Sequence, residues 1–398
     1  MKIYKLSAPF EIARKISFQK QKSYTRFIVR LSIAATSISV AAIILTLSIV
    51  NGFQESISNK VFHFWGHIRI ASVSGAPLDN IGDSLLHNNP NIASITPFVN
   101  QSSVLAYGQD IEGVMVKGLP TNNNIPFLIK GKGIQNNNDS NRNSIVISDA
   151  LATKLKIPLD SSIRLYFLNS GGIQQRRMKV VGMYHSGIEE YDRQFVMVDL
   201  KMLQQLNYDS KQIEGYSIKL KDGVSIDTVN DEIQKVLPKN WVSTSIAEYY
   251  PQIFDWINVQ TVNRDVTITI LLIIAIVNLL TCLFILMLER VNMIGTLTAL
   301  GATHGFIRKV FLYQASFICW TGIAIGTIIG VGFSILQQNF GWIQLDETAY
   351  FIKTLPVKLY PIQVGWVIIG TAVISYLSFL IPTLWIKRIA PAKAIKFD

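Results

Sequence analysis

Residues 266–288 read VTITILLIIAIVNLLTCLFILML, a run with no Asp, Glu, Lys or Arg. An α-helix rises 1.5 Å per residue, so about 20 residues cross the roughly 30 Å of hydrocarbon in a bilayer. A buried helix of a soluble protein is usually shorter and keeps a polar stripe. This run shows neither feature and reads as a membrane span. Its one side-chain amide, Asn278, is costly in hydrocarbon unless it finds a partner, so Asn278 is expected to face another helix.

Three more runs share this character: Phe27 to Val50, Val310 to Leu336 and Val364 to Ile386. The first holds a single charge, Arg30, at its entry, where the side chain can snorkel to the headgroups. It is too long for the apolar core of a cleaved signal peptide and follows a polar leader. The residues behind it, Asn51-Gly52-Phe53-Gln54-Glu55, form no small-residue cleavage site, so it reads as a retained anchor. The third run carries Gly322, Gly326 and Gly330 at four-residue spacing, a smooth strip that lets a second helix approach closely. Pro382 is placed to kink the fourth run.

The chain has 398 residues, 49% hydrophobic and 16% charged, which excludes a disordered, solvating protein. Mean hydropathy is +0.31. The net charge of +11 alone would suit nucleic acid, an anionic membrane or the cytoplasmic bias of a membrane protein. Its distribution decides between them. The leader to Arg30 carries +7, the loop 289–309 carries +2 and the tail 387–398 carries +3. Residues 51–265 carry −1 and the loop 337–363 carries 0. By the positive-inside rule both termini and the loop 289–309 are cytoplasmic, and the two near-neutral segments lie outside. The expected order is a leader over 1–26, spans over 27–50, 266–288, 310–336 and 364–386, and a large outer domain over 51–265. Apolar and basic residues alternate at helical spacing from Phe10 to Phe18, which suits a short helix on the inner leaflet in contact with membrane lipids. No partner nucleic acid is implied.

The outer domain reads as α+β. His67 to Ile70, Ile163 to Phe167 and Met178 to Met183 alternate with period 2 and predict strands. Asn169-Ser170-Gly171-Gly172 predicts a hairpin turn. Ser148 to Leu155 and Val224 to Val236 predict helices, the first capped by Ser148. Asn122 to Asn143, rich in Asn and Gly, predicts a surface loop. Cys282 and Cys319 both fall inside spans, which leaves the outer domain without a disulfide framework.

Enzymatic motifs are missing. There is no GxxxxGK[ST] phosphate loop, GxSxG elbow or HExxH helix. His63 and His67 could share a helix face, with Glu55 as a third ligand, but Phe62, Phe64 and Trp65 around them read as an interfacial aromatic belt, and no metal is assigned. Glu189, Glu190 and Asp192 around Tyr191 read as a solvated acidic loop. In the loop 289–309, Met293, Leu297 and Leu300 fall at helical spacing and Gly301 ends the pattern. A short amphipathic helix joined to two spans suits docking onto a soluble partner.

At these residues the chain resembles the FtsX-like permeases, and within them the lipoprotein-releasing permease family (LolC/LolE). Leu47-Ser48-Ile49-Val50-Asn51-Gly52-Phe53 and His67-Ile68 resemble the family's LSVMNGF and HI elements. Val277-Asn278 resembles its FN element, and Ser186-Gly187-Ile188-Glu189-Glu190-Tyr191-Asp192 its SGxxEYD segment. Leu300-Gly301-Ala302 resembles the LGA after its acidic-Ile-Ala/Gly-x-Leu loop core. Here the acidic position of that core holds Asn292 or Met293, and the hairpin from Phe167 to Arg177 is shorter than the one with which some members capture a carrier.

The resemblance implies a four-span permease of a bacterial inner membrane with a large periplasmic α+β domain. It implies a second permease chain and an ABC ATPase subunit (LolD-like) that binds ATP and Mg, with no cofactor in this chain. ATP-driven closure would push the helix 293–304, which makes Met293, Ile294, Gly295, Leu297, Leu300 and Gly301 the expected coupling residues. Asn278, Gly322, Gly326 and Gly330 would pack the spans. Val50, Phe53, Ile57, Phe167, Gly171 and Ile173 are candidate contacts for the lipoprotein substrate or a periplasmic carrier. Two other activities fit the same architecture. One is an FtsX-type protein regulating a cell-wall hydrolase, whose outer domain is usually smaller. The other is a MacB-type efflux permease, which usually carries a fused ATPase.

Overall fold

The computed structural model describes residues 10, 23–79, 86, 89–120, 125–134, 143–169, 172–207 and 212–384. The expected leader helix, apart from Phe10, and the basic tail lie outside the described residues. In chain order the elements are α1 (Ser23–Trp65), β1 (Ile68–Ser72), β2 (Leu78–Asp79), β3 (Ile92–Tyr107), β4 (Asp110–Leu119), β5 (Leu128–Gly131), β6 (Ser144–Ser148) and α2 (Asp149–Lys154). There follow β7 (Ser162–Asn169), β8 (Gly172–Tyr184), α3 (Glu189–Gln194), β9 (Phe195–Asp199), α4 (Leu200–Asn207), β10 (Gln212–Ile213), β11 (Gly215–Leu220), α5 (Ile226–Val236), β12 (Trp241–Ser245) and α6 (Ile246–Tyr249). The chain closes with α7 (Pro251–Glu289), α8 (Val291–Ala299), α9 (His304–Phe340), α10 (Glu347–Tyr350) and α11 (Pro361–Leu384). Two compact units result: Met1–Gln54 with Ile257–Gln344 and Thr354–Asp398, and Glu55–Trp256 with Leu345–Lys353.

In the first unit, α1, α7, α9 and α11 are long and apolar enough to cross a membrane. Two of them outrun the apolar runs that announce them. The 43 residues of α1 continue 15 residues past Val50, and α7 begins 15 residues before Val266, so the domain boundaries at 51 and 265 fall inside helices. Hydropathy marks where a helix leaves hydrocarbon, while the i to i−4 hydrogen bonds continue until the backbone is diverted. That diversion comes at Gly66, whose φ of +84° suits glycine.

The Gly strip of α9 lies against α1. A Cβ on Gly322 would meet Thr36 Cβ at 2.8 Å, one on Gly326 the Ser37 carbonyl oxygen at 2.5 Å, and one on Gly330 Ile44 Cβ at 3.0 Å. Backbones this close need the missing side chains. The hydroxyls of Thr36, Ser37 and Ser48 donate to the carbonyls of Ser32, Ile33 and Ile44, one turn back on the same helix. Polar groups are thereby satisfied without water. Val40, Ile44, Leu283, Phe311, Ile323 and Phe379 fill the interior.

The second unit is built on one branched sheet. The first half of β3 pairs with β11, and beyond β11 lie β1 and β12. Its second half pairs with β4 on one side and β7 on the other. Following the pairing from β3 through β4, β9, β6, β8 and β7 leads back to β3, so six strands form a ring. The period-2 reading of residues 163–167 explains its interior. Ile163, Leu165 and Phe167 are buried while Arg164 faces out, as alternation on a pleated strand requires. Ser148 caps α2 by accepting the Leu151 N–H at 3.0 Å. β7 and β8 pair as the hairpin the sequence predicts, up to Asn169 opposite Gly172. The Asn122–Asn143 segment is not purely loop: it contains β5, and Ile125 and Ile134 are buried.

A second core forms where α1 ends. Phe64 and Trp65 are buried among Tyr184, Tyr191 and Phe195, with the Phe64 and Tyr191 rings stacked at 4.8 Å. These two are therefore core residues, not an interfacial belt. His63 and His67 do not share a helix face, because α1 stops at Trp65. The His67 ring stacks on Phe62, and its Nδ1 accepts the Leu220 N–H at 3.1 Å. Lys117 is buried in the same core. Its Nζ donates to the Phe64 carbonyl at 2.6 Å and sits 4.4 Å and 4.0 Å from the Phe64 and Trp65 ring centroids. The ammonium thus meets both the negative end of a helix and two ring faces. Burial nevertheless pushes its pKa down to about 7, Arg69 adding to the shift and Glu214 opposing it.

Candidate functional site

Within the first unit a groove of about 330 Å³ runs between three spans. Helix α1 supplies Ile43 and Leu47, α7 supplies Ile268 and Leu272, and α11 supplies Trp366, Val367 and Ile374. Polar groups gather at one end. Arg264 Nε donates to Asp265 at 2.8 Å, and Gln363, which also lines the groove, accepts from Asn51 at 2.6 Å. Those residues sit where α7 and α11 enter their apolar stretches. Gly370 lines the groove and a Cβ there would meet nothing within 4 Å, so the absence of a side chain leaves room. The result is an amphipathic slot, charged at the mouth and hydrocarbon-like along its length. Such a surface suits a lipid-like ligand with a polar head.

The candidate contacts on α1 fall elsewhere. Val50 and Phe53 are half-buried and Ile57 is buried, and the groove uses Ile43 and Leu47 one and two turns earlier. The sequence cue to the groove was the charged pair Arg264-Asp265 set against an apolar run, together with Gly370 inside a span. Asn278 is half-buried on α7, and its side-chain oxygen is buried without a hydrogen-bond partner among the described residues.

The loop helix α8 is present but presents a different face from the one its periodicity suggests. Ile294 and Gly295 are buried, and Met293 and Leu297 pack onto the apolar interior of the bundle. Met293 also packs against the buried Val310 of α9. The outward face is Asn292, Thr296, Ala299 and Leu300, with Leu300 79% exposed. Gly301 at φ +88° ends the helix, and the Ala302 N–H closes it onto the Leu297 carbonyl at 2.9 Å. His304, expected in the same helix, instead begins α9 behind a Thr303 cap. An amphipathic helix next to a membrane core uses its apolar stripe on its own protein first, so a partner would read the other side.

In the second unit, Phe167 is fully buried in the ring of strands and offers no contact surface. Gly171 lies outside the described residues. Ile173 is 71% exposed and pairs across the hairpin with Leu168, itself 77% exposed, so two apolar side chains stand in the open at this turn.

The segment read as a solvated acidic loop is helix α3, and Asp192 within it is buried. Asp192 Oδ1 accepts from the Ser186 N–H at 2.9 Å and from its hydroxyl at 2.8 Å, and Oδ2 accepts from the Gly187 N–H at 3.1 Å. Burial raises its pKa and these donors pull it back, leaving it above the ordinary carboxylate value. Beside it, His185 Nδ1 lies 2.9 Å from Asp149 Oδ1 and Nε2 lies 2.8 Å from Glu347 Oε1. Burial lowers the imidazole pKa, but the two carboxylates outweigh it and hold it above the ordinary histidine value. A cavity of about 500 Å³ opens onto His185, Asp192 and Glu347.

A family model described as the MacB-like periplasmic core domain matches residues 31–236, and one described as the FtsX-like permease C-terminal matches residues 266–391. The chain is 24% identical to the lipoprotein-releasing system transmembrane protein LolE of Haemophilus influenzae, over 98% of this chain and 99% of the relative. It is 22% identical to LolC of Neisseria meningitidis serogroup B, over 97% and 98%. The crystal structure of the periplasmic region of MacB from Actinobacillus actinomycetemcomitans aligns at a TM-score of 0.36 and 13% identity, over 51% of this chain and 98% of that one. With the first model spanning more than half its length and the second matching the C-terminal part, the chain belongs to the family of membrane permeases that join a MacB-like periplasmic core domain to an FtsX-like permease region.

Proposed function

We propose that this chain is the transmembrane permease subunit of an ABC-type transporter that releases lipoproteins from a bacterial inner membrane. The observation that carries the reading is the amphipathic groove between α1, α7 and α11: apolar side chains along its length suit acyl chains, and Arg264, Asp265 and Gln363 at its mouth suit the polar head to which the chains are attached. Full-length similarity to relatives named for lipoprotein release supports the same substrate class. In this reading a separate ATPase subunit binds ATP and Mg and docks on the outward face of α8, through Leu300 and its neighbours. A second permease chain, identical or paralogous, completes the membrane unit, and the exposed Leu168–Ile173 turn meets a periplasmic carrier. In the same reading both termini lie in the cytoplasm and the second unit in the periplasm, an orientation that the charge distribution supports.

Site-specific photo-crosslinking tests this. A photoreactive residue at Ile43 or Trp366 is expected to capture a triacylated lipoprotein in membranes, with ATP plus the ATPase reducing the yield. Crosslinks to phospholipid alone, together with normal lipoprotein sorting after depletion of the chain, would overturn the reading in favour of a signal-transmitting or efflux role.

A further inference from the structure

We propose that Asp149, His185 and Asp192 form a binding site for a divalent transition-metal ion of the zinc class in the second unit. One donor atom from each residue lies within 4.8 Å of the other two. His185 Nδ1 is 2.9 Å from Asp149 Oδ1 and 3.8 Å from Asp192 Oδ2. Bonds of about 2.0–2.2 Å to a tetrahedral ion place donors roughly 3.3 Å apart. Only small side-chain adjustments are therefore needed to seat an ion between Nδ1 and the two aspartate carboxylates.

The imidazole distinguishes this group from a patch of carboxylates. Its far nitrogen, Nε2, is held by Glu347 Oε1 at 2.8 Å, and Glu347 is in turn paired with Lys353 at 3.3 Å. With Nε2 carrying the proton and donating to Glu347, Nδ1 is left as the lone-pair donor, the carboxylate–histidine–metal arrangement that fixes tautomer and ring orientation. Asp192 is positioned with equal care by the N–H and hydroxyl of Ser186 and the N–H of Gly187. The three ligands come from the start of α2, the residue that follows β8 and the interior of α3, elements that flank the strands of the ring.

One nitrogen and two carboxylate oxygens suit zinc and its neighbours. Calcium takes six to eight oxygens, and this donor set does not supply them. The two aspartates match the charge of a dication. The adjoining cavity, about 500 Å³ and reaching His185 and Asp192, leaves a fourth coordination position open to water or a small anionic ligand.

The test uses the full chain in detergent or nanodiscs, stripped with a chelator and titrated with Zn²⁺ and with Co²⁺. One ion per chain is expected by elemental analysis, with Co²⁺ giving the visible absorption of a low-coordinate N/O site. His185→Ala and Asp149→Asn are each expected to abolish that absorption and weaken binding at least 100-fold. Glu347→Gln, which leaves all three ligands in place, is expected to weaken it about 10–100-fold. Thermal unfolding without metal checks that each variant is folded. Absence of uptake by the folded wild-type chain would overturn the proposal. So would uptake that persists unchanged in His185→Ala, which would assign the ion to another place in the chain.

Discussion

Gly326 of α9 and Ser37 of α1 are backbone neighbours: a Cβ on the glycine would stand 2.5 Å from the Ser37 carbonyl oxygen and 2.9 Å from Val40 Cβ. Neither atom is the end of a flexible side chain, so a larger residue has to separate two helices. Gly326→Leu is expected to destabilise the bundle by at least the ~1–3 kcal/mol typical of overpacking. Unfolding in detergent checks this, with Gly365→Ala as the control because a Cβ at Gly365 meets nothing within 4 Å. Equal stability of the two variants would show that the helices do not pack this way.

Leu300, exposed at the C-terminal end of α8, and Met293, half-buried against α9, separate docking from folding. Leu300→Asp changes an exposed side chain and is expected to alter stability by no more than about 0.5 kcal/mol while uncoupling ATP hydrolysis from release. Met293→Asp instead puts a carboxylate against Val310 and the apolar interior of the bundle and is expected to lower stability by several kcal/mol. Paired measurements of unfolding and lipoprotein-stimulated ATPase rate decide the matter. An uncoupled but fully stable Met293→Asp would reverse the assignment of faces.

Filling the groove tests its use. Gly370→Leu has space for its Cβ, so assembly is expected to be normal, while lipoprotein release and crosslinking from Ile43 fall by about tenfold or more. Unchanged release from a correctly assembled variant would place the substrate path elsewhere.

Lys117 gives the second unit a pH dependence of predictable sign. Its pKa is about 7 when folded and near 10.5 when unfolded, so between those values the unfolded chain holds more protons. Stability is therefore expected to rise as pH increases from about 7 toward 10.5, by at most about 1.4 kcal/mol per pH unit from this group. Lys117→Met keeps the apolar stem and should flatten the slope. An unchanged slope in denaturant melts of the variant would show that Lys117 is not its source.

The spans were legible because a bilayer imposes one requirement, length without charge, on contiguous residues. Strand β7 was legible because Ile163, Leu165 and Phe167 alternate with exposed neighbours. Ser148 was legible as a cap because capping acts over three residues. What failed to show was non-local. Ser103 and Phe167 are 64 positions apart and pair only after the sheet curves round. Asp192 reads as solvated until the backbone N–H groups of Ser186 and Gly187 turn onto it, and Glu347 reaches His185 across 162 positions. On α8 the periodicity grouped Met293, Leu297 and Leu300 into one stripe, yet could not say that Met293 and Leu297 would be spent on the chain's own bundle while Leu300 stayed exposed.

The ring from β3 round to β7 also bears on how this domain avoids pairing with other chains. A strand with unpaired N–H and C=O groups is a template onto which another chain can be zipped by strand addition. Within the ring each strand has ladder partners on both sides, and the outermost strands of the wider sheet, β5 and β12, run for four and five residues. β5 is further interrupted by a register shift and by Gly131 in the left-handed region. Backbone templating onto the ring is thereby disfavoured, and another chain meeting this surface is left to engage it through side chains, a mode of contact that can be released as readily as it is made.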